Sequence, residues 1–526
     1  MHSLPGHSYP AWLAVTHVCQ RWRQIALSTP SLWTDIMTRN RFWANEMLVR
    51  SASVPIRIWI NARRSFEGHE VLNHFSRAKI LVFNGDVTPT LARHLSVPAP
   101  LLEDFALNGV GSRRFRPNSR LGASTDSIFP EGAPNLRHLR LSLCHVSWPL
   151  HLINSNIVTF HIMHLTSSHR PSQAQLQAAL AAMPNLKDLV LDNCLPIQYP
   201  ISAFPGISDD IGEGTLLMPS VDSINLAAPS SIDIYNFIAH VRFPSVRTVS
   251  LSSGLISGTF DPNRNSIPAL LASLRSFYEP VSQIDHHPRV MFESLSLEEI
   301  EQDYWHLSVG GPMMNTFDPM SAVAQFETRL SVHIDSASDD DADSFFAAAC
   351  YSLPLHTVET LVINCCLLTA RDSWIQAFGR MKNVSCIFAR GDPVPMIAEM
   401  LNPLPLLSQG DIGPALFPRL EELAIARADF FATSDEHPTS LYTHLSQALA
   451  WRGGTESGMR RLARLCVREC EIGEEYVHAL DKLITHGAVD WDGVQNWVSE
   501  NVVEEDDDDV LLEDLEPLGS PEHSDG

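Results

Sequence analysis

Pro134-Asn-Leu136-Arg-His-Leu139-Arg-Leu141-Ser-Leu-Cys144 and Pro184-Asn-Leu186-Lys-Asp-Leu189-Val-Leu191-Asp-Asn-Cys194 are one phrase written twice. Side chains alternate across an extended strand, so the second and third apolar residues of the phrase share a face. The first enters from the turn before the strand, and the cysteine fills the corner after it. Proline at the head disfavours helix in the residue before it and imposes an extended approach. The same frame returns at Leu102/Phe105/Leu107, Ile157/Phe160/Ile162, Val221/Ile224/Leu226 and Val246/Val249/Leu251. It continues at Phe292/Leu295/Leu297, Val358/Leu361/Ile363, Leu420/Leu423/Ile425 and Leu462/Leu465/Val467, with a weaker copy at Val384 and Ile387. Proline stands two residues before the first position at Pro100, Pro134, Pro184, Pro219, Pro244 and Pro418.

One short strand cannot bury its own apolar face, so stacked neighbours must. The frame L-x-x-L-x-L-x-x-(N/C) is the pattern of a leucine-rich repeat. Its first positions from 102 to 246 lie 34, 21, 29, 35 and 25 residues apart, a mean near 29. The expected fold is α/β: N-terminal helices over residues 1–50, then an irregular leucine-rich-repeat solenoid over 51–490. Its short strands should be parallel, with helices or loops outside them. Helical links are read at Ser172–Met183, where Ser172 caps and Leu176, Leu180 and Met183 share a face, and at Ser231–His240 and Leu441–Trp451. Residues alternating with the buried ones form the other face of the sheet. His138, Arg140, Asp188, Asn225, Thr360, Asn364, Glu422, Arg464 and Arg468 are the candidate partner-binding residues there. Their mixed chemistry suits a protein partner better than a polyanion. The stretch 255–350 carries no regular frame, and its fold is left open.

Apolar residues make up 44% of the 526, enough for an extended core, which excludes wholesale disorder. The 35 prolines outnumber the 26 glycines, as suits a chain that often stops helices and starts strands. Half of the net charge of −24 belongs to the C-terminus, where Glu500 to Asp525 holds twelve Asp or Glu and no Lys or Arg. Residues 491–526 are expected to be a disordered acidic tail, because the run 504–509 cannot bury enough to offset chain entropy. The body offers no basic footprint for nucleic acid. No run approaches 18 apolar residues and the first ten lack an apolar signal segment, so neither membrane spanning nor secretion is expected. Nine cysteines, an odd number, then imply free thiols in a reducing compartment, cytoplasm or nucleus.

The N-terminal segment reads as a helix from Trp12 to Leu27, with Val15, Val18, Cys19, Trp22, Ile25 and Ala26 at three- and four-residue spacing. Thr29 caps a short helix opened by Pro30. A further helix is read over 42–50, and Pro55-Ile56-Arg57-Ile58-Trp59-Ile60 alternates as a strand. Residues 12–33, with Val18-Cys19-Gln20-Arg21-Trp22-Arg23 and the closing Ser31-Leu32-Trp33, resemble the second half of F-box-like modules of mushroom-forming fungi, which precede irregular leucine-rich repeats. The resemblance implies a substrate adaptor that docks on the Skp subunit of a cullin–RING ubiquitin ligase while the repeats hold the substrate. It places Val15, Val18, Cys19, Trp22, Ile25, Leu32 and Trp33 in the module's packed core. If Trp22 is core, its truncation to alanine should cost about 3–5 kcal/mol. The family's first helix opens L-P-x-E, whereas Leu4-Pro5 is followed here by Gly6-His7-Ser8. That helix is expected to be missing or degraded, and the alternative expectation is a repeat scaffold that no longer contacts Skp.

No catalytic constellation stands out. Cys144, Cys194, Cys366 and Cys470 fall on the corner position of the frame, where a small residue packs. Cys365-Cys366 and Cys466-x-x-x-Cys470 lack a second pair at zinc spacing, and His286-His287 has no H-E-x-x-H context. Ser308-Val309-Gly310-Gly311-Pro312 reads as a plain turn rather than a phosphate loop. Neither a G-x-S-x-G phrase nor a protease-type cysteine is present. No enzyme, metal or cofactor is expected.

Overall fold

A strand that alternates apolar and polar residues must hide one row of side chains, and here that row runs through a single sheet of seventeen strands. The computed structural model describes residues 11–494 apart from 62–69, 86–88, 110–127, 197–214, 256–265, 279–291, 302–303, 314–325, 337–338, 366–370, 403, 406–411, 414–415, 434–438, 455–457 and 486–488. In chain order the first nine strands are β1 (Asp35–Met37), β2 (Ile56–Asn61), β3 (Ala78–Asn84), β4 (Asp104–Asn108), β5 (His138–Ser142), β6 (Thr159–Met163), β7 (Asp188–Asp192), β8 (Ser223–Ala228) and β9 (Thr248–Leu255). Then follow β10 (Ser294–Glu301), β11 (Tyr304–Gly310), β12 (Thr328–Ser336), β13 (Thr360–Asn364), β14 (Cys386–Arg390), β15 (Glu422–Ala426), β16 (Arg464–Arg468) and β17 (Val489–Trp491).

Strands β1 to β9 lie side by side in chain order, every pair parallel. Strands β13 to β17 do the same. Between these two runs the order reverses. Strand β12 joins β9 in parallel, β11 is antiparallel to both β12 and β10, and β10 joins β13 in parallel. The protein is thus a mixed α/β fold around a large, mostly parallel sheet.

Register ties the repeated phrases together. One rung begins Ile58, Leu81, Phe105, Leu139, Phe160, Leu189, Ile224, Val249. It goes on through Leu330, Val309, Leu295, Leu361, Ile387, Leu423 and Leu465. None of these side chains is more than 1% exposed, and all belong to one continuous core. Trp33, Ile36, Ala44, Met47 and Leu48 from the N-terminal segment join the same core.

Between strands, helices close over that core. They include α1 (Gln20–Leu27), α2 (Arg41–Arg50), α3 (Pro89–Leu95), α4 (Gln173–Ala181), α5 (Ser231–His240), α6 (Ser266–Tyr278) and α7 (Asp339–Ser352). After them come α8 (Arg371–Phe378), α9 (Val394–Met400), α10 (Leu441–Arg452) and α11 (Glu474–Asp481). The start of α4 is fixed by a capping box: Ser172 Oγ accepts from Gln175 N, and the Gln175 side chain accepts from Ser172 N. Leu176 and Leu180 then face the core, as the spacing requires. No described helix is long and apolar enough to cross a membrane.

The turns repeat as faithfully as the strands. Asn135, Asn156, Asn185 and Asn383 each donate a side-chain N–H to a carbonyl of the preceding unit, Pro100, Pro134, Ser155 and His356 respectively. The asparagine of Pro-Asn-Leu is therefore a clamp between neighbours. Beyond the strands, Leu143, His164, Asn193, Gly391, Arg427 and Glu469 all take left-handed backbone angles, with φ between 48° and 74°. In that conformation each backbone N–H but that of Glu469 donates to a carbonyl at the end of the next strand, Met163, Asp192, the penultimate Ala227 and, for Gly391 and Arg427, Ala426 and Arg468. Glu469 N donates instead to the Asp492 carboxylate.

The N-terminus corrects the sequence reading. Instead of one helix, a 3-10 segment over Ala11–His17 and the short α1 are separated at Cys19, whose backbone is extended and whose Sγ accepts from Trp22 N at 3.5 Å. Trp33 is fully buried, its Nε1 donating to Ala26 O at 2.8 Å. Val18, Cys19, Trp22, Ile25 and Leu32 are exposed, not packed as a core. The physical reason is that α1 packs mainly on the adjoining 3-10 segment among the described elements, which leaves its apolar side uncovered. Thr29 does not cap through its side chain; its Oγ1 donates back to Ile25 O at 2.7 Å. Gly310 ends β11 paired with Thr328 rather than forming a free turn. The Val15 side chain, Leu4-Pro5, His286-His287, Cys366 and the acidic run beyond 494 lie outside the described residues.

Candidate functional site

Because the core takes one row of side chains, every strand offers the alternate row to the opposite face. His138, Arg140, Asp188, Asn225, Thr360, Asn364, Glu422, Arg464 and Arg468 all stand in that row, and each is half-buried. They form two groups. His138, Arg140, Asp188 and Asn225 lie on β5, β7 and β8, and the rest lie on β13, β15 and β16. Four strands, β9, β12, β11 and β10, separate Asn225 from Thr360. At about 4.8 Å per strand, that is roughly 24 Å.

Within the first group His138, Arg140 and Asp188 are already matched. Arg140 Nη1 lies 3.3 Å from Asp104 Oδ1, and His138 Nδ1 lies 3.0 Å from Thr159 Oγ1. His161 Nε2 donates to Asp188 Oδ2 at 2.7 Å, and this hydrogen bond holds the Asp188 carboxyl below the usual carboxylate range. Asp104 and His161 were absent from the sequence-based set. His161 alternates with Phe160 and Ile162 as Arg140 does with Leu139 and Leu141, so the frame itself could have found it.

The second group is part polar, part apolar. Arg464 Nη2 and Arg468 Nη2 reach Asp490 at 3.2 Å and 2.7 Å, and the hydrogen bond from Arg468, then that from Arg464, lowers the Asp490 carboxyl. Between these charged rows runs an apolar rung, Val362, Phe388, Ala424 and Cys466, no more than 4% exposed, with Met313 and Cys386 packed on it. Burial pushes the Cys386 thiol up, so it is not an activated nucleophile. Met313 belongs to the chain leaving β11, and Phe326, before β12, packs where Gly310 has no Cβ. Met313, three residues past β11, therefore takes part in this face.

The four central strands hold what the frame missed. Ser250, Ser331, Ser308 and Ser296 occupy one rung, and His333, His306, Glu298 and Asn364 the next. The imidazoles of His306 and His333 stack with centroids 4.2 Å apart at an interplanar angle of 1°. Both Nε2 atoms point to Ser331 Oγ, at 2.9 Å and 3.0 Å. Burial lowers both pKa values, that of His333 to about 4 with a further contribution from His306, so both rings are neutral near pH 7. Glu298, 9% exposed, accepts from Ser296 Oγ at 2.5 Å. Only the residue after Leu297 in the Phe292 copy of the phrase pointed here, and nothing in the sequence put His333 beside it.

Chemically, such a face can grip polar and basic groups of another protein. Among the described residues, no group of three His, Cys, Asp or Glu side chains is arranged to hold a metal ion. Neither a protein-family model nor a curated protein matches this chain.

Proposed function

We propose that the chain is a protein-binding adaptor: an irregular leucine-rich-repeat solenoid that holds a partner on the polar face of its sheet, led by an F-box-like module that links it to the Skp subunit of a cullin–RING ubiquitin ligase. The observation that carries the solenoid reading is the single apolar rung from Ile58 to Leu465, with the same asparagine clamp and left-handed corner at successive stations. Repeats built this way expose one extended face, and function follows from what that face contacts. No chemistry is assigned to it, and the place of action is the cytoplasm or nucleus.

The F-box part rests on Val18-Cys19-Gln20-Arg21-Trp22-Arg23 and Ser31-Leu32-Trp33. Val18, Trp22 and Ile25 are 62%, 49% and 54% exposed, which supports a helix that completes its packing against a partner. The second reading, a repeat scaffold without Skp contact, is favoured by Leu4-Pro5-Gly6-His7-Ser8 in place of an acidic first helix. Binding of the full chain to purified Skp subunit, read by interferometry, separates the two. The adaptor reading expects saturable binding weakened at least tenfold by Trp22→Ala; absence of binding leaves the scaffold.

A further inference from the structure

A carboxylate taken out of water is costly unless a cation or several donors meet it. Glu298 is nine-tenths buried on the polar face of the sheet, and its one hydrogen bond comes from Ser296 Oγ at 2.5 Å. Among the described residues no basic side chain pairs with it. Its rung neighbours are His306 on one side and Asn364 on the other. His306 shares Ser331 Oγ with His333, and both rings stay neutral because burial disfavours their charged form. Two more groups beside it are unspent. Ser308 Oγ, fully buried one rung away, has no hydrogen-bond partner, and neither has His333 Nδ1. Unmet polar groups gathered at one spot are uncommon in a folded protein and call for an explanation.

We propose that Glu298, Ser308 and the stacked His306–His333 pair form a subsite for one basic side chain, Lys or Arg, of a protein partner lying along the polar face. The inference rests on the protein-binding reading above and gives that partner its chemistry. A guanidinium or ammonium brings the missing positive charge to Glu298 and donors to the Ser308 hydroxyl oxygen, and a guanidinium plane suits the half-exposed imidazole stack. The rung of Ser308 supplies context. Along it, Val362, Phe388 and Ala424 lie beyond Ser296 on one side and Ser331 and Ser250 on the other, so the partner segment is expected to carry its basic residue among small or apolar neighbours.

The test is selection of phage-displayed random dodecapeptides on the full-length protein, with binding re-measured on Glu298→Gln, on Glu474→Gln of the exposed start of α11, and by the imidazole resonances of His306 and His333. Enriched peptides should contain an essential Lys or Arg, lose at least tenfold in affinity when it becomes norleucine, and lose as much on Glu298→Gln. They should bind Glu474→Gln unchanged and shift the His306 and His333 signals of the unaltered protein, a readout that needs no variant to fold. Glu298→Gln, which removes a buried charge and keeps the shape, should melt no lower than the parent. Peptides that bind Glu298→Gln equally well, or leave both imidazoles unshifted, overturn the subsite and spare the protein-binding reading. If no peptide is enriched, both fall.

Discussion

Trp22 and Trp33 belong to one sequence motif and have opposite fates. Trp33 is fully buried, donates to Ala26 O and carries the Arg50 guanidinium 4.3 Å over its ring, whereas Trp22 is 49% exposed. Replacement of Trp33 by alanine should cost about 3–5 kcal/mol, and the same change at Trp22 well under that, both read by urea denaturation. Helical spacing put Trp22 in an apolar row but could not say which side of an eight-residue helix would be covered. His333 gives a pH signature. Its folded value, about 4, lies below its ordinary 6.5, so the fold prefers the neutral ring. That preference is fully expressed above pH 6.5, fades as pH falls towards 4, and is a constant penalty below it. His333→Asn should therefore flatten this part of the plot of urea midpoint against pH. A variant that keeps the parental slope would remove His333 as its source.

At the scale of the element, the phrase was legible because burial follows period two and needs nothing from far away. The apolar positions read from sequence are buried almost without exception, and helices α4, α5 and α10 start and stop within two residues of where capping and periodicity put them. The capping box on α4 predicts that Ser172→Ala lowers stability by about 1 kcal/mol. Corners were less legible. Left-handed geometry usually announces itself by glycine, yet here Leu143, His164, Asn193, Arg427 and Glu469 adopt it because a ladder hydrogen bond or, at Glu469, a carboxylate rewards the exposed N–H. Asn193→Gly should be close to neutral and Asn193→Val should cost about 1–2 kcal/mol, measured by thermal unfolding.

For the whole molecule, a periodic frame says which residues face the core but not which strand stands next to which. Leu295 and Leu297 are in register with the other copies, yet two strands stand between β10 and β9, because β12 and β11 fold back into that space. That reversal assembles Glu298, His306 and His333 from three strands, and no spacing rule over one strand could show it. Long-range pairing of this kind also sets the two groups of face residues apart, so a partner that touches both must be extended.

Cross-linking of paired cysteines reads strand order directly, since a disulfide needs Cα atoms about 4.4–6.8 Å apart. Ser250 and Ser331 are register partners across β9 and β12, while Ser296 lies two strands further along the same rung. After mild oxidation of the folded protein, mass spectrometry should find the bond in Ser250→Cys with Ser331→Cys and not in Ser250→Cys with Ser296→Cys. A disulfide in the second pair and none in the first would place β10 beside β9 and contradict the single continuous ladder on which this account rests.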